Sequence, residues 1–550
     1  MRRIRKMPFI AFGTLIVLVF GIQTSTAQSN RFEVIKNLEL IDAIYEHLDK
    51  YYVENPKPGS MSVAGINAML EDLDPYTVFY PESDIEDYRL MTTGQYGGVG
   101  AMIRKIGDYI YFAEPYEDSP AAKAGVRAGD KILSIEGRDM TKKNTEDVST
   151  NLKGPKGTSI SVKVERPNGK QETISITRDE IKLPDIPYAG LLDNEIGYIK
   201  LTSFTPTASS EVRKNFIDLK EKGMKKLVLD LRGNGGGLLI ESVHIVNMFV
   251  PKGQKVVETK GRIEEENREY RTMNDPLDLN IPVVVLIDGT SASASEIVAG
   301  SLQDLDRAVV VGETSFGKGL VQRTFDLKYG TKMKLTISKY YTPSGRCVQR
   351  LEYFDKNEDA KPEDIPDSLL HIFKTKNGRD VIDGRGIVPD IDVEIPDMSR
   401  LTAMIYGNNL IFNYSTDYVK THPNIANAKD FKLTDEEYAA FKKYVLEDDF
   451  TYSTASEEQL KKIKATIEQE GLDEDAKQEY EALMQKITPS KERDLEKFQD
   501  EIKMLLENEI VSRYYYQKGR VLNSFNHDDI LKKGVEILKN TQEYNTILKK

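Results

Sequence analysis

The apolar positions change period several times along the chain, and each change marks a region. Over residues 31–88 they fall at helical spacing, at Ile41, Ile44 and Leu48 and again at Ala64 and Ala68, until the run LDPYTVFY (residues 73–80) breaks the pattern. Over residues 94–178 the period drops to two: Ile110 and Phe112 alternate, as do Ile160, Val162 and Val164, then Ile174 and Ile176, with glycine turns between them. Within that stretch DSPAAKAGVRAGDKILSIEG reads as a short helix, a glycine turn and a buried strand. Residues 144–152 read as a second helix, with Val148 and Leu152 one turn apart. From residue 181 to about residue 396, strands that read as buried, at residues 227–231, 281–288 and 308–313, alternate with turns and helices. Such an order predicts an α/β core with its site at the strand C-termini. Beyond about residue 399 glycine thins out. The capping patterns Thr434-x-x-Glu437 and Ser456-x-x-Gln459, the Thr488-Pro489 start, and Leu495, Phe498, Ile502 and Leu505 at helical spacing predict a helical domain.

Composition narrows the function classes. The chain has 550 residues, 39% hydrophobic and 30% charged, enough for about three or four packed domains. A net charge of -12 disfavours nucleic acid as a partner. A single cysteine, Cys347, excludes an internal disulfide and a thiolate zinc cluster, and no HExxH occurs, so no zinc site of either kind is expected. The basic start MRRIRK, the apolar residues 8–22 and the small residues STA (25–27) predict a signal peptide over residues 1–27 and export to a bacterial periplasm. The apolar run is short of the about 20 residues a spanning helix needs, which leaves an uncleaved anchor as the alternative. The regions expected are a helical segment at 28–93, a β-rich domain at 94–180, an α/β core at 181–398 and a helical domain at 399–550.

Candidate chemistry lies where the strand at 281–288 ends, in DGTSASASEI. Ser293-x-x-Glu296 fits a helix capping box, and that alone would explain the serines. A serine at this place would also sit at the edge of the sheet and at a helix N-terminus, where dipole and free N–H groups stabilise an oxyanion. None of the five histidines suits it as a base: His47 is in the N-terminal helix, His371 in a charged loop, and His422 and His527 in the tail. His244 lies nearest in sequence, without an acid at a telling spacing. A Gly-x-Ser-x-Gly elbow is absent. Lys318, between two glycines in ETSFGKGLVQ, is the other option. Its reference pKa of about 10.4 would have to be depressed by burial.

Two resemblances sharpen this reading. GGVGAMI (residues 97–103), together with the SPAAKAG and GDKILSIEG runs, resembles a PDZ domain. The likeness implies that Gly98, Val99 and Gly100 receive a terminal carboxylate. Ala101 and Ile103 would continue the strand a peptide pairs with, and Val148 and Leu152 would line an apolar pocket. TSASASEIVAGSLQDLDRAVVVGETSFGKGLVQ is similar to the core of the C-terminal processing (tail-specific) serine proteases. LDPYT, DLRGNGGG, YYTPSGR and GIVPDI match in family order, over about residues 31–395. That resemblance implies Ser293, the middle serine, as nucleophile, Lys318 as general base and Gln322 as the group that orients the lysine. It also implies the N–H groups of Gly237 and Ala294 as oxyanion hole, with no cofactor. The substrates implied are proteins with free C-terminal tails; a homo-oligomer and an adaptor or regulator stay open. In a straight strand Lys318 and Gln322 would stand about 13 Å apart, so the segment is expected to bend. Cys347 replaces the serine that usually follows TPSGR in the family and reads as a packing residue. The competing reading is a catalytically silent PDZ scaffold that holds envelope proteins by their tails.

Overall fold

The computed structural model describes residues 10–353 and 362–550, with side chains described from residue 31. The first nine residues of the expected signal peptide lie outside the described residues, and the side chains of the rest are not described. The helical N-terminal segment comprises Ile10–Tyr51, Pro58–Glu71 and Ile85–Thr93. The LDPYT turn interrupts it as expected and leads into a short strand, Val78–Tyr80.

Residues 94–180 fold as the period-two pattern predicts. Strands Ala101–Ile106, Tyr109–Pro115, Lys131–Ile135, Ser159–Glu165 and Gln171–Thr177 form an antiparallel sheet, with helix Thr145–Leu152 packed on its first strand. The chain enters and leaves this domain through one neck: Gln95–Gly98 pairs with Asp179–Lys182, and the Leu183 N–H donates to the Gly94 carbonyl (3.0 Å).

The core is a six-stranded sheet in the order Tyr188–Leu191, Ile196–Lys200, Lys226–Asp230, Val283–Ile287, Val309–Gly312 and Ile391–Asp392, parallel except for its first pair. Its central strands are mainly apolar because both faces are covered. Leu227, Leu229, Val283 and Val285 point to the face under helices Ala208–Glu221, Leu239–Asn247 and Ala294–Asp304. Their alternates Val228, Val284 and Leu286 point to the other face.

What covers that other face changes the reading of the tail. The helices from Arg400 to Ser524 build a core of their own around Leu401, Phe441, Leu495, Ile502 and Ile510. The last two helices, Asp529–Lys539 and Thr541–Ile547, leave it and lay Ile530, Leu531, Ile537, Leu538 and Tyr544 on the core sheet. Gly534 permits the approach, since a Cβ there would stand 3.1 Å from Val284 and from Leu286. A bidentate pair from Arg232 to Asp528 (2.7 and 2.6 Å) fixes the start of this layer to the end of a core strand. The helical region expected at 399–550 thus ends in two helices that cover the second face of the α/β core. The helical stripe is readable in sequence; its partner, some 250 residues earlier, is not.

A second, antiparallel sheet carries the hairpin Leu320–Asp326 and Lys332–Tyr341 beside the core. The N-terminal strand Val78–Tyr80 pairs with it, Val78 opposite Lys334.

Candidate active site

The strand Val283–Ile287 delivers the serine turn to the edge of the core sheet, and burial separates the three serines. Ser291 and Ser295 have no exposed surface. Ser291 Oγ donates to the Leu231 carbonyl and Ser295 Oγ to the Asn234 carbonyl, each at 2.9 Å. Both hydroxyls tie the turn to the glycine loop that follows the neighbouring strand. Ser293 alone of the three is partly exposed, and it lines a cavity of about 690 Å³ together with Lys318, Gln322 and Gly235, Gly236 and Gly237.

Ser293 holds φ +57° and ψ −111°, a conformation that costs a non-glycine residue on the order of 1–3 kcal/mol. Its surroundings enforce it. The Ser293 N–H donates to Glu296 (2.8 Å), the Ala292 N–H to Asn234 O (3.0 Å), and the Tyr340 hydroxyl to Ser293 O (3.2 Å). Glu296 does more than cap a helix. Fully buried, it also accepts from Ser315 Oγ (2.6 Å), Gly317 N (2.8 Å) and Lys318 N (2.9 Å), so one carboxylate joins the serine turn to the lysine loop. Burial raises its pKa, against the pull of these hydrogen bonds. In sequence an acid three residues into a helix reads only as a cap, and nothing there announces the other three donors.

The glycine loop backs onto this turn. A Cβ on Gly236 would lie 2.8 Å from Ser293 Cβ and 3.0 Å from Ala294 N, and one on Gly237 would lie 2.5 Å from Phe204 O. Phe204 brackets the loop: its N–H donates to Gly236 O (3.1 Å) and its carbonyl accepts from Leu238 N (2.9 Å), and neither bond uses the Gly237 N–H. Ala294 is the first residue of its helix, so its N–H has no acceptor within that helix.

Lys318 approaches from the opposite wall. Burial lowers its pKa to about 8, with help from the Lys334 charge and against Glu296 and Asp74. The Tyr76 ring centroid lies 4.3 Å from Nζ. Tyr76 belongs to the LDPYT turn, which the sequence offered as a break in a helix and as a family motif, with no role for the tyrosine. Gln322 lies on the strand Leu320–Asp326, where the register slips between Val321 and Gln322, so the strand is not straight at this point. Its amide donates to Thr336 Oγ1 (3.1 Å). Cys347 packs against this segment; its Sγ would be 3.1 Å from a Cβ on Gly319, and burial raises the thiol pKa. His244 lines a different, smaller cavity with Ser209 and Arg213.

In the β-rich domain Gly100 turns, at φ +76°, while Gly98 ends the paired strand Gln95–Gly98; the Tyr116 N–H donates to Gly100 O (3.0 Å). Gly98 is buried, and Val99 is buried in the domain core. Val148 and Leu152 face the strand bearing Ala101 and Ile103, but at 0 and 4% exposure they sit inside that core instead of lining an open pocket. The apolar side chains close on one another because exposed apolar surface costs about 25 cal/mol per Å².

Comparisons with known proteins bear on the family and the domain content. Residues 195–353 match peptidase family S41, residues 111–166 a PDZ domain, and residues 401–538 the C-terminal helical domain of a probable PDZ-protease. The carboxy-terminal-processing protease of Bartonella bacilliformis is 36% identical over 356 residues, which cover 63% of this chain and 80% of that protein. The chain belongs to peptidase family S41. A probable CtpA-like serine protease of Staphylococcus aureus is 29% identical over 406 residues, 73% of either chain. A solved photosystem II D1 C-terminal processing protease is 26% identical with a TM-score of 0.36, covering 64% of this chain and 86% of that one. As an S41 peptidase the protein combines a PDZ domain, a protease core and a helical C-terminal domain.

Proposed function

We propose that this S41 peptidase is an exported serine endopeptidase that cleaves proteins presented by their C-terminal tails, with Ser293 as nucleophile and Lys318 as general base. The observation that carries the reading is that Ser293, alone among the three serines of its turn, opens onto the cavity that also holds Lys318 and Gln322. The neutral lysine takes the proton of the Ser293 hydroxyl as Oγ attacks the scissile carbonyl. The oxyanion is received by the N–H groups of Gly237 and Ala294. Lys318 then returns the proton to the leaving amine, and water releases the acyl group by the same route in reverse. Gln322 orients the lysine. A pKa near 8 supports the role, because an ordinary lysine would be almost wholly protonated at neutral pH.

The PDZ domain supplies tail recognition: residues 98–100 take the terminal carboxylate and residues 101 and 103 pair with the tail. Docking of the last side chain between Val148 and Leu152 would require the helix to shift. The neck makes such a shift consequential, since a Cβ on Gly94 would meet the Thr205 methyl at 2.8 Å, and Thr205 adjoins the Phe204 that brackets Gly237. An assembly of copies and an adaptor or regulator belong to the same reading, as does residence in the periplasm after loss of residues 1–27.

A serine-reactive probe followed by peptide mapping tests the chemistry: the label is expected on Ser293, and a label elsewhere refutes the assignment. Substrates with free and amidated tails test recognition. Equal affinity and equal rate for the two would remove the PDZ domain from substrate selection.

A further inference from the structure

Gln322 can orient Lys318 only by presenting its amide oxygen, not its nitrogen, to the amine. A glutamine has both ends, and its own strand selects neither. The selection comes from two residues distant in sequence. Gln322 Nε2 donates to Thr336 Oγ1 (3.1 Å), and Thr336 Oγ1 donates to Asp74 Oδ1 (3.2 Å). A carboxylate only accepts, and a hydroxyl has one proton to give. Once that proton is committed to Asp74, Thr336 can only accept from Gln322, so the NH₂ end turns toward Thr336 and the oxygen is left for the amine.

Asp74 is built to impose this. It is 3% exposed and anchored by the Tyr76 N–H (2.8 Å), the Thr77 N–H (2.8 Å) and the Thr77 hydroxyl (2.9 Å). The same turn sets the Tyr76 ring over Lys318 Nζ. The pairing of Val78–Tyr80 with the hairpin strand Lys332–Tyr341 holds turn and threonine together, and the Thr336 N–H also donates to Thr77 Oγ1 (3.2 Å).

We propose that Asp74 and Thr336 are positioning residues that fix the polarity of the Gln322 amide. Its oxygen then receives one N–H of Lys318 and leaves the lysine lone pair for the Ser293 proton. The inference rests on the Ser293–Lys318 reading above. The charged groups that bear on Lys318 are Lys334, Glu296 and Asp74.

The test is a pH–rate profile on a folded, full-length panel, with melting temperature as the folding control. Thr336→Val should lower kcat on the alkaline plateau by about 10- to 100-fold, the usual loss when an outer partner of a working side chain is removed. KM and the position of the acid limb should stay in place, and Thr336→Ser should restore the rate. Asp74→Asn leaves an acceptor for Thr336 but removes a charge that helps keep the proton on Lys318. It should lose less than Thr336→Val and move the acid limb to lower pH. A wild-type plateau for Thr336→Val, or Thr336→Ser as slow as Thr336→Val, would overturn the proposal. So would a wild-type plateau for Asp74→Asn, which also serves if the valine variant does not fold. Lys318→Ala separates the two levels: if it keeps full activity, the Ser–Lys reading fails whatever the Thr336 variants do.

Discussion

The two walls of the Ser293 cavity are built in different ways. The serine wall is made of backbone. Ser291, Ser295, Asn234 and Glu296 are all buried, and all but one of the hydrogen bonds described for them above, that from Ser315 Oγ to Glu296, involve main-chain groups of the turn, the glycine loop and the lysine loop. The lysine wall is made of side chains gathered from afar: Tyr76 from the N-terminal turn, and Thr336 and Lys334 from a hairpin strand. The serine wall stores strain, at φ +57° of Ser293, and is over-determined enough to hold it. The lysine wall holds an amine whose pKa it lowers. A wall fixed by main-chain bonds suits a group that must sit still. A wall of adjustable side chains suits one whose pKa must be set against several charges at once.

The largest effects should fall on the serine wall and separate its members. Ser293→Ala should reduce cleavage by about a millionfold, as loss of a serine nucleophile does in comparable machinery. Ser291→Ala should lose the bond to Leu231 O and the one accepted from the Asp288 N–H, and Ser295→Ala the one to Asn234 O, about 1 kcal/mol of stability for each bond, and both should keep measurable activity. If Ser291→Ala were as inactive as Ser293→Ala while folded, burial would not be the discriminator it is taken to be.

On the lysine wall, Lys318→Arg should be inactive although the charge is kept, because arginine cannot give up its proton in a protein. In the wild type, kcat/KM should fall as pH drops below about 8, where the amine takes up its proton. The sign for stability is the reverse of the usual pairing case. A lysine whose folded pKa lies below its unfolded value costs stability in full below about 8, and the cost fades as pH rises toward its model value of 10.5. Lys318→Met should therefore stabilise the fold by about 1–3 kcal/mol at pH 7 and by less at pH 10, measured by denaturant melts. Equal gains at both pH values would mean that the amine is not desolvated.

Between the walls stands Glu296, which tests whether they act as one site. Glu296→Gln keeps the size but must turn an NH₂ group toward at least one of the donors Ser293 N, Gly317 N, Lys318 N and Ser315 Oγ. A stability loss of about 1–3 kcal/mol is expected from the unmatched pair, with kcat down by about 10- to 100-fold. Loss of stability with unchanged kcat would make Glu296 a folding residue only.

The contrast also explains what the sequence could disclose. The serine wall is local: strand, glycine loop and helix each follow an apolar run, and the motifs DLRGNGGG and TSASASEI carry both partners within short segments. Its architecture, and the α/β core behind it, were legible from hydrophobic period alone. The choice of Ser293 over its neighbours was not, because alternate serines differ only in burial; family resemblance supplied it. The lysine wall joins residues 74, 76, 318, 322 and 336, whose relation exists only after Val78–Tyr80 has paired with the hairpin. LDPYT was visible as a break and as a family motif, but no periodicity links Asp74 to Thr336. The same limit hid the last two helices, whose apolar stripe at Ile530, Leu531, Ile537 and Leu538 is plain while its partner sheet is not.

The smallest effect should come from Lys334, and it is the sharpest probe of the lysine wall as an electrostatic device. Lys334 touches neither the serine turn nor the glycine loop through any hydrogen bond among the described residues; its Nζ contacts Met91 Sδ at 3.7 Å. It nevertheless lines the cavity, and its positive charge disfavours protonation of the Lys318 amine. With a pKa near 8, about one lysine in ten is neutral at pH 7. Lys334→Met removes the like charge, so Lys318 should hold its proton more tightly and the acid limb should move to higher pH. A move of about half a unit would leave roughly one third of the activity at pH 7 and the full rate on the alkaline plateau. Lys334→Arg keeps the charge and should leave the limb where it is. A methionine variant that lost the plateau instead would assign Lys334 a role in binding substrate. One that shifted the limb to lower pH would reverse the sign of the coupling and with it the account of how Lys318 is kept neutral.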